Sequence, residues 1–326
     1  MKALRVIKSN DVIGCVIESL PVPLPGPGEI VIKAAYSSVN YKDALAAIGA
    51  GKIMKSLPMT GGIDVAGTVA DSQDARFVVG QAVLVTGYGL GVEIDGGYAE
   101  YVRVPADWVV PLPDGLTALQ AMALGTAGFT AALAVTRMQD NGLRPDAGPV
   151  AVTGATGGVG SLALAMLAQL GYETVAITGK LDQTEYLTRL GAARVLDRRS
   201  LEMGTRPLEK SLWAGAVDSV GGATLAWLTR TLAYRGVIAA CGLAGGIELS
   251  TTVMPFILRG VSLIGIDSVQ CPMAQRLDIW TRLAGELRPR SLESDIARII
   301  DFEDLPGVFQ DFLDAGVSGR TVVRLP

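Results

Sequence analysis

Residues 152–160 read Val-Thr-Gly-Ala-Thr-Gly-Gly-Val-Gly and join an apolar run, residues 150–152, to the alanine- and leucine-rich stretch 161–170. Glycines at such a junction let the chain bend sharply, let a diphosphate approach the main chain, and let the following helix pack close to the strand. Gly154, Gly157 and Gly160 are spaced three apart. A plain strand-to-helix turn would meet the same spacing, so the surrounding pattern has to decide. From about 118 to 267 it alternates: apolar runs "GPVAVTG", "TVAITG", "ARVLD", "GAVDSV", "GVIAACG" and "VSLIGID" are interleaved with helix-prone segments such as "SLALAMLAQLGY" and "ATLAWLTRTLA". Near-continuously apolar strands separated by helices are what a parallel sheet covered on both faces requires. This stretch is therefore expected to be a doubly wound α/β domain, and the glycine cluster its nucleotide-phosphate loop.

The remainder has a different texture. Residues 1–117 carry short Val-, Ile- and Tyr-rich runs separated by Gly, Pro and Asp, which predicts a rolled-up, barrel-like β domain. The tail 268–326 is too short to stand alone and ends on a strand-like "GRTVVRLP". The expected division is 1–117 with 268–326 as a β-rich substrate domain, and 118–267 as the nucleotide-binding domain.

Composition excludes several function classes. The chain has no histidine among its 326 residues, which removes Ser-His-Asp and Cys-His catalysis and the helix-borne His-Glu-x-x-His zinc site. Cys15, Cys241 and Cys271 are far apart and form no Cys-x-x-Cys pair, so neither a disulfide framework nor a thiolate metal site is expected. A formal charge of −4 argues against wrapping nucleic acid or coating an anionic membrane. The N-terminus lacks the apolar core of a secretion signal, and apolar runs such as "LALAMLAQL" fall short of the roughly 20 residues that span a bilayer. A cytoplasmic protein without membrane or nucleic-acid partners is expected.

The second strand of the alternating region indicates the cofactor. Folds that hold NAD place an Asp or Glu about 20 residues beyond the glycine loop, on the ribose hydroxyls. Here the strand ends Thr178-Gly179-Lys180, with no carboxylate at its tip. Thr178 and Lys180 can receive a 2′-phosphate, and Arg198, after the next strand, can close over it or over the adenine. NADPH is the expected cofactor, with ordinary solvated charge as the alternative reading of Lys180 and Arg198.

The order of these regions, and the motifs "VNYKDAL" (39–45), "GGIDVAGTV" (61–69), "GGYAEY" (96–101), "GTAGFTA" (125–131), "LGAARVLD" (190–197), "VDSVGG" (217–222) and "RGVSLIGI" (259–266), resemble the medium-chain dehydrogenase/reductase superfamily along essentially the whole chain. Zinc alcohol dehydrogenases of that superfamily carry Gly-His-Glu in the second motif, whereas this chain has Gly62-Ile63-Asp64, and it lacks their four-cysteine lobe. The resemblance is thus to the zinc-free, quinone-oxidoreductase-like branch. Within it, "RPLEKSLWAGAVDSVGG", "AACGLAGG" and "TTVMPFILRGVSLIGIDSV" are similar to the acrylyl-CoA reductase family. The resemblance implies a GroES-like barrel domain beside a Rossmann domain, NADPH-dependent reduction of acrylyl-CoA to propionyl-CoA, and a homodimer built by pairing nucleotide-domain sheets. Reduction of quinones or alkenals is the alternative. "TGK" (178–180) stands where relatives often have Ser-Gly-Arg.

The chemistry selects candidates. Hydride added to the β-carbon of an acrylyl thioester leaves an enolate oxygen that needs hydrogen-bond donors, and a proton must follow. In "VNYKD", Asn40 is a candidate amide donor to a carbonyl or ribose, and Tyr41 a candidate nicotinamide contact and proton donor. Asp43 either orients Lys42 or a water, or caps the helix that follows. Tyr88 is a second candidate acid. For the cofactor, Gly154, Thr156, Gly157, Gly158 and Val159 form the phosphate loop, joined by Tyr41, Thr178, Gly179, Lys180 and Arg198. Leu243, Ile257 and Ser268 follow from the resemblance as contacts toward the nicotinamide. Lys52, Lys55, Arg259 and Arg320 are the basic residues considered for phosphate groups.

Overall fold

The strand Glu29–Val39 organises the N-terminal part of the chain. Its first half pairs antiparallel with Asp64–Ser72 on one side and Tyr101–Pro105 on the other, while its last residues pair antiparallel with Arg320–Arg324. The end of the chain therefore completes a sheet begun near its start. That sheet has seven strands and also contains Ala82–Thr86, Val110–Pro111 and Ala297–Asp301. A hairpin, Lys2–Ser9 with Val12–Ser19, forms a smaller sheet with Met59–Thr60. Leu4, Ile30, Ile32, Val65, Tyr98 and Val323 belong to one buried apolar cluster. The computed structural model describes residues 1–314 and 316–326.

In the second part six parallel strands lie in the order Ala192–Asp197, Thr174–Thr178, Val150–Thr153, Trp213–Asp218, Leu232–Ala240, Ser262–Gly265. Numbered along the chain this is 3-2-1-4-5-6, the Rossmann order, with its switch point beside Val150–Thr153. All residues of the strands Val150–Thr153, Thr174–Thr178 and Trp213–Asp218 are buried, which explains their lack of alternation. The helix Gly158–Gln169 is likewise buried from Gly160 to Leu167.

Contacts divide the chain into two compact units, Met1–Thr126 with Val269–Ala284 and Leu292–Pro326, and Ala127–Ser268 with Gly285–Ser291. The chain leaves the first unit inside the helix Ala118–Asp140, one residue after a break at Gly125, whose φ is 53° and ψ −157°. By length and composition this helix could cross a membrane, contrary to the expectation that no run approaches that length. Its apolar window is 78% buried within the protein, so its apolarity is explained by packing.

Candidate active site and cofactor loop

In the nucleotide unit, the chain turns out of Val150–Thr153 through Gly154, whose φ is +58°. A side chain there would meet Ser219 Oγ, and one at Gly160 would meet the Gly154 carbonyl and the Ala155 Cα. Two of the three glycines are thus required by conformation or close approach. Gly157 precedes the helix Gly158–Gln169, and its N–H donates to the Gly154 carbonyl (2.9 Å). The first-turn N–H groups of Gly158 and Val159 lie at a helix start, where such groups have no intrahelical acceptor and suit an anion.

The segment Asp218–Gly221 braces this loop. Thr153 Oγ1 donates to Asp218 Oδ1 (2.6 Å) and accepts from the Ser219 N–H, while Ser219 Oγ donates to the Thr153 carbonyl (3.0 Å). Asp218 also accepts from the Gly221 N–H (2.8 Å). Burial pushes this carboxylate upward, and its hydrogen bonds oppose the shift. Its role as a brace was not apparent from sequence, although "VDSVGG" stood out as a motif.

At the tip of the second strand, Thr178 is buried and its Oγ1 accepts from the Lys180 N–H (3.0 Å). Its hydroxyl thus shapes the Gly179 turn. Arg198 crosses that turn: a Cβ on Gly179 would lie 2.7 Å from Arg198 Nε. Gly179 and Arg198, nineteen positions apart in sequence, are thus brought together. Burial lowers the Lys180 ammonium, with Asp182 acting in the opposite sense. Leu243 and Ile257 are exposed, at 63% and 73%, and Ser268 is half-buried at the end of the unit.

In the first unit, Tyr41 opens the helix Tyr41–Ala47 and is half exposed, at 50%. The residues around it are not. Asn40, Asp43, Ser38, Asp64 and Arg320 are all buried. Asn40 Nδ2 donates to Asp64 Oδ2 (2.8 Å) and Asp43 Oδ2 (3.2 Å), and its Oδ1 accepts from Arg320 Nη1 (3.3 Å). The amide considered as a substrate donor is therefore held by carboxylates. Asp43 caps the helix by accepting from the Asn40 N–H (2.8 Å), and its other oxygen accepts from the Ile63 N–H (3.1 Å). Burial, reinforced by the nearby Asp64 carboxylate, pushes Asp43 up to about 7. Tyr98 is raised well above its ordinary value by burial first, then by Asp43 and Asp64; its hydroxyl donates to the Ser38 carbonyl (3.1 Å).

Several other candidates have structural roles. Arg320 donates to the Ala123 and Val39 carbonyls and to Ser38 Oγ, so it is a buried countercharge rather than a phosphate ligand. Arg259 donates to the carbonyls of Arg230, Leu232 and Glu209, which ties elements of the nucleotide unit together. Tyr88 donates to the Cys271 carbonyl (3.3 Å), stacks on Trp108 and lies under the Arg276 guanidinium. Lys55 pairs with Glu93, and Lys52 is exposed.

Residues 26–114 match the alcohol dehydrogenase GroES-like domain family, and 158–279 the zinc-binding dehydrogenase family. AcuI of Ruegeria pomeroyi, an acrylyl-CoA reductase, is 50% identical over 297 residues, covering 91% of this chain and 90% of its own. The chain belongs to the medium-chain dehydrogenase/reductase family. Another family member, YhfP of Bacillus subtilis, named a quinone oxidoreductase, is 48% identical over 326 residues, covering 99% of this chain and 98% of its own. The YhdH oxidoreductase of Salmonella enterica, solved in complex with NADP, superposes with a TM-score of 0.97 at 47% identity over the full length of both chains. YhfP was solved with NAD bound and superposes at 0.95 with 47% identity, covering 99% of each chain.

Among the described residues, this member of the dehydrogenase/reductase family gathers no zinc donor set. Ile63 stands beside Asp64, no histidine exists in the chain, and among the described residues no three of Cys, Asp and Glu gather. Cys15 and Cys241 are pushed by burial up to about 11 and about 12, which disfavours the thiolate that binds metal.

Proposed function

We propose that this protein is an NADPH-dependent reductase of the α,β-double bond of acrylyl-CoA, producing propionyl-CoA. The observation that carries the cofactor assignment is the Gly179 turn, which Arg198 crosses and Lys180 follows in the chain, with no carboxylate on the strand-tip residues Thr178 and Gly179. A 2′-phosphate is favoured there by opposite charge and by the donor fork of arginine. The glycine loop fits the diphosphate, because Gly154 and Gly160 keep side chains out of its turn. The NADP held by YhdH, and the activity named for AcuI at 50% identity, support the same assignment.

Bound NADPH supplies the hydride for the β-carbon. Tyr41 holds the proton for the α-carbon at its phenol oxygen, and Asn40 and Asp43 fix the turn from which it projects. Gly158 and Val159 receive the cofactor phosphates with Gly154, Thr156 and Gly157, while Thr178 and Gly179 shape the 2′-phosphate turn. Leu243, Ile257 and Ser268 are assigned to the nicotinamide end. The β-rich segments 1–117 and 268–326 form the substrate domain and 118–267 the cofactor domain.

The protein acts in the cytoplasm as a homodimer. Three unbridged cysteines suit a reducing compartment. Ser262–Gly265 is an edge strand, and Tyr234 and Val253 on neighbouring elements of that unit are exposed apolar residues, features that suit pairing of two sheets edge to edge.

Turnover of acrylyl-CoA and of small quinones, each with NADPH, tests the substrate. Acrylyl-CoA is expected to be reduced with the higher kcat/KM. Equal or faster quinone reduction would replace this reading with that of a quinone oxidoreductase, the activity in the name of YhfP.

A further inference from the structure

Asp64 is completely buried, yet it is surrounded by donors from three separate stretches of chain, at 38–40, 126 and 320. Ser38 Oγ donates to its Oδ2 (2.6 Å), Asn40 Nδ2 donates to the same oxygen (2.8 Å), and Thr126 donates both its N–H to Oδ2 (3.0 Å) and its hydroxyl to Oδ1 (2.5 Å). Arg320 Nη2 lies 3.9 Å away and donates to Ser38 Oγ (2.8 Å), so the hydroxyl bridges guanidinium and carboxylate. The helix Ala118–Asp140 is broken to make this possible. At Gly125 a Cβ would fall 2.6 Å from Arg320 Nη2 and 2.7 Å from both Asp64 Oδ2 and Ser38 Oγ. The break frees the Thr126 N–H for Asp64, which then acts as an anion at the start of the second helical segment.

Such an arrangement is a poor way to obtain stability alone. A buried ion pair can often be replaced by well-packed apolar residues at no loss, and a glycine-only backbone conformation adds strain. Devices of this kind concentrate where geometry matters for function. On the turn they hold, residues 38–44, the exposed side chain is the half-exposed Tyr41, which follows Asn40 directly; Asn40 is gripped through its side chain by Asp64 and through its backbone N–H by Asp43.

We propose that Asp64, with Arg320 as its countercharge, is a positioning residue for the reduction: through Asn40 it fixes the turn that presents Tyr41. This rests on the role given to Tyr41 above, and it adds residues that touch neither substrate nor cofactor.

A double-mutant cycle of Asp64→Asn and Tyr41→Phe, measured as kcat with NADPH and acrylyl-CoA, tests it. Asp64→Asn is expected to lower kcat by roughly a hundredfold, the scale of an ångström misplacement, with KM for NADPH unchanged. In the Tyr41→Phe background it is expected to have no further effect, since both changes disable one device. Losses that multiply, or a kcat for Tyr41→Phe equal to that of the parent, overturn the proposal. Amide hydrogen exchange supplies a readout independent of turnover: residues 38–44 should exchange faster in Asp64→Asn while the strand Asp64–Ser72 keeps its protection. Unchanged exchange at 38–44 also overturns it. If Asp64→Asn does not fold, Thr126→Val and Ser38→Ala, each deleting a single side-chain donor, carry the same two measurements. A parent enzyme that oxidises no NADPH with acrylyl-CoA sinks the functional reading instead, and the exchange measurement still decides the positioning.

Discussion

Arg320 and Asp64 face each other in the interior at 3.9 Å, joined by the Ser38 hydroxyl that accepts from one and donates to the other. The Arg320 side chain is 2% exposed and that of Asp64 is fully buried. Burial pulls the guanidinium down from its ordinary value, and the carboxylates of Asp64 and Asp43 oppose this.

Removing the cation leaves two carboxylates in a low-dielectric interior. Arg320→Met is therefore expected to destabilise the first unit by about 3–5 kcal/mol. Arg320→Lys should recover part of the loss, since it keeps the charge without the planar fork. Urea denaturation of the three proteins at one pH checks the order; equal midpoints for the parent and Arg320→Met would contradict it.

Asp43 gives the stability a pH dependence. Its value rises from 3.8 in the unfolded reference to about 7 in the fold, so the folded state favours the protonated acid. This contribution is fully present below about pH 4 and is lost as pH rises through 7, amounting to about 4 kcal/mol at most. Asp43→Asn, which cannot ionise, should remove it. Between pH 5 and 8 the parent should lose stability relative to Asp43→Asn; a parent that gains relative to the variant would contradict the sign.

Gly125 cannot accept a side chain, because its φ is +53° and a Cβ would crowd Arg320, Asp64 and Ser38. Gly125→Ala should cost at least about 2 kcal/mol through strain and displaced polar groups. A thermal transition unchanged from that of the parent would show that the break in the helix is not needed.

How much of this was legible in the sequence depends on distance along the chain. Gly154 and Gly160 were legible because their task is local: one turn joins a strand to the helix that follows, and the glycines sit within that turn. The doubly wound class was legible from the alternating apolar runs and helices, whereas the strand order emerged only in the folded sheet. Arg259 and Arg198, by contrast, look alike in sequence. One donates to three backbone carbonyls while the other lies across Gly179, a difference set by packing partners far away in the chain. Asp64 carried one signal that could have found it, a carboxylate inside the otherwise apolar "GGIDVAGTV". Its partners Thr126 and Arg320 carried none, because only the folded sheet and the break at Gly125 bring them near.

Arg198 and Lys180 should act on the extra phosphate alone. Arg198→Ala is expected to weaken NADPH binding about tenfold, the effect of losing one charge-assisted hydrogen bond, and to leave NADH binding unaltered. Fluorescence titration with both cofactors separates this from a general defect, in which both affinities would fall together.

The most direct test of the account is the kcat/KM for NADPH against that for NADH in the reduction of acrylyl-CoA by the unaltered protein. A strand tip, Thr178-Gly179, that carries no carboxylate of its own and is crossed by Arg198 predicts that NADPH is preferred by tenfold or more, on the scale of about 1.4 kcal/mol. Equal use of the two cofactors, or a preference for NADH, would contradict it, and the NAD bound to YhfP would then describe this chain better than the NADP bound to YhdH.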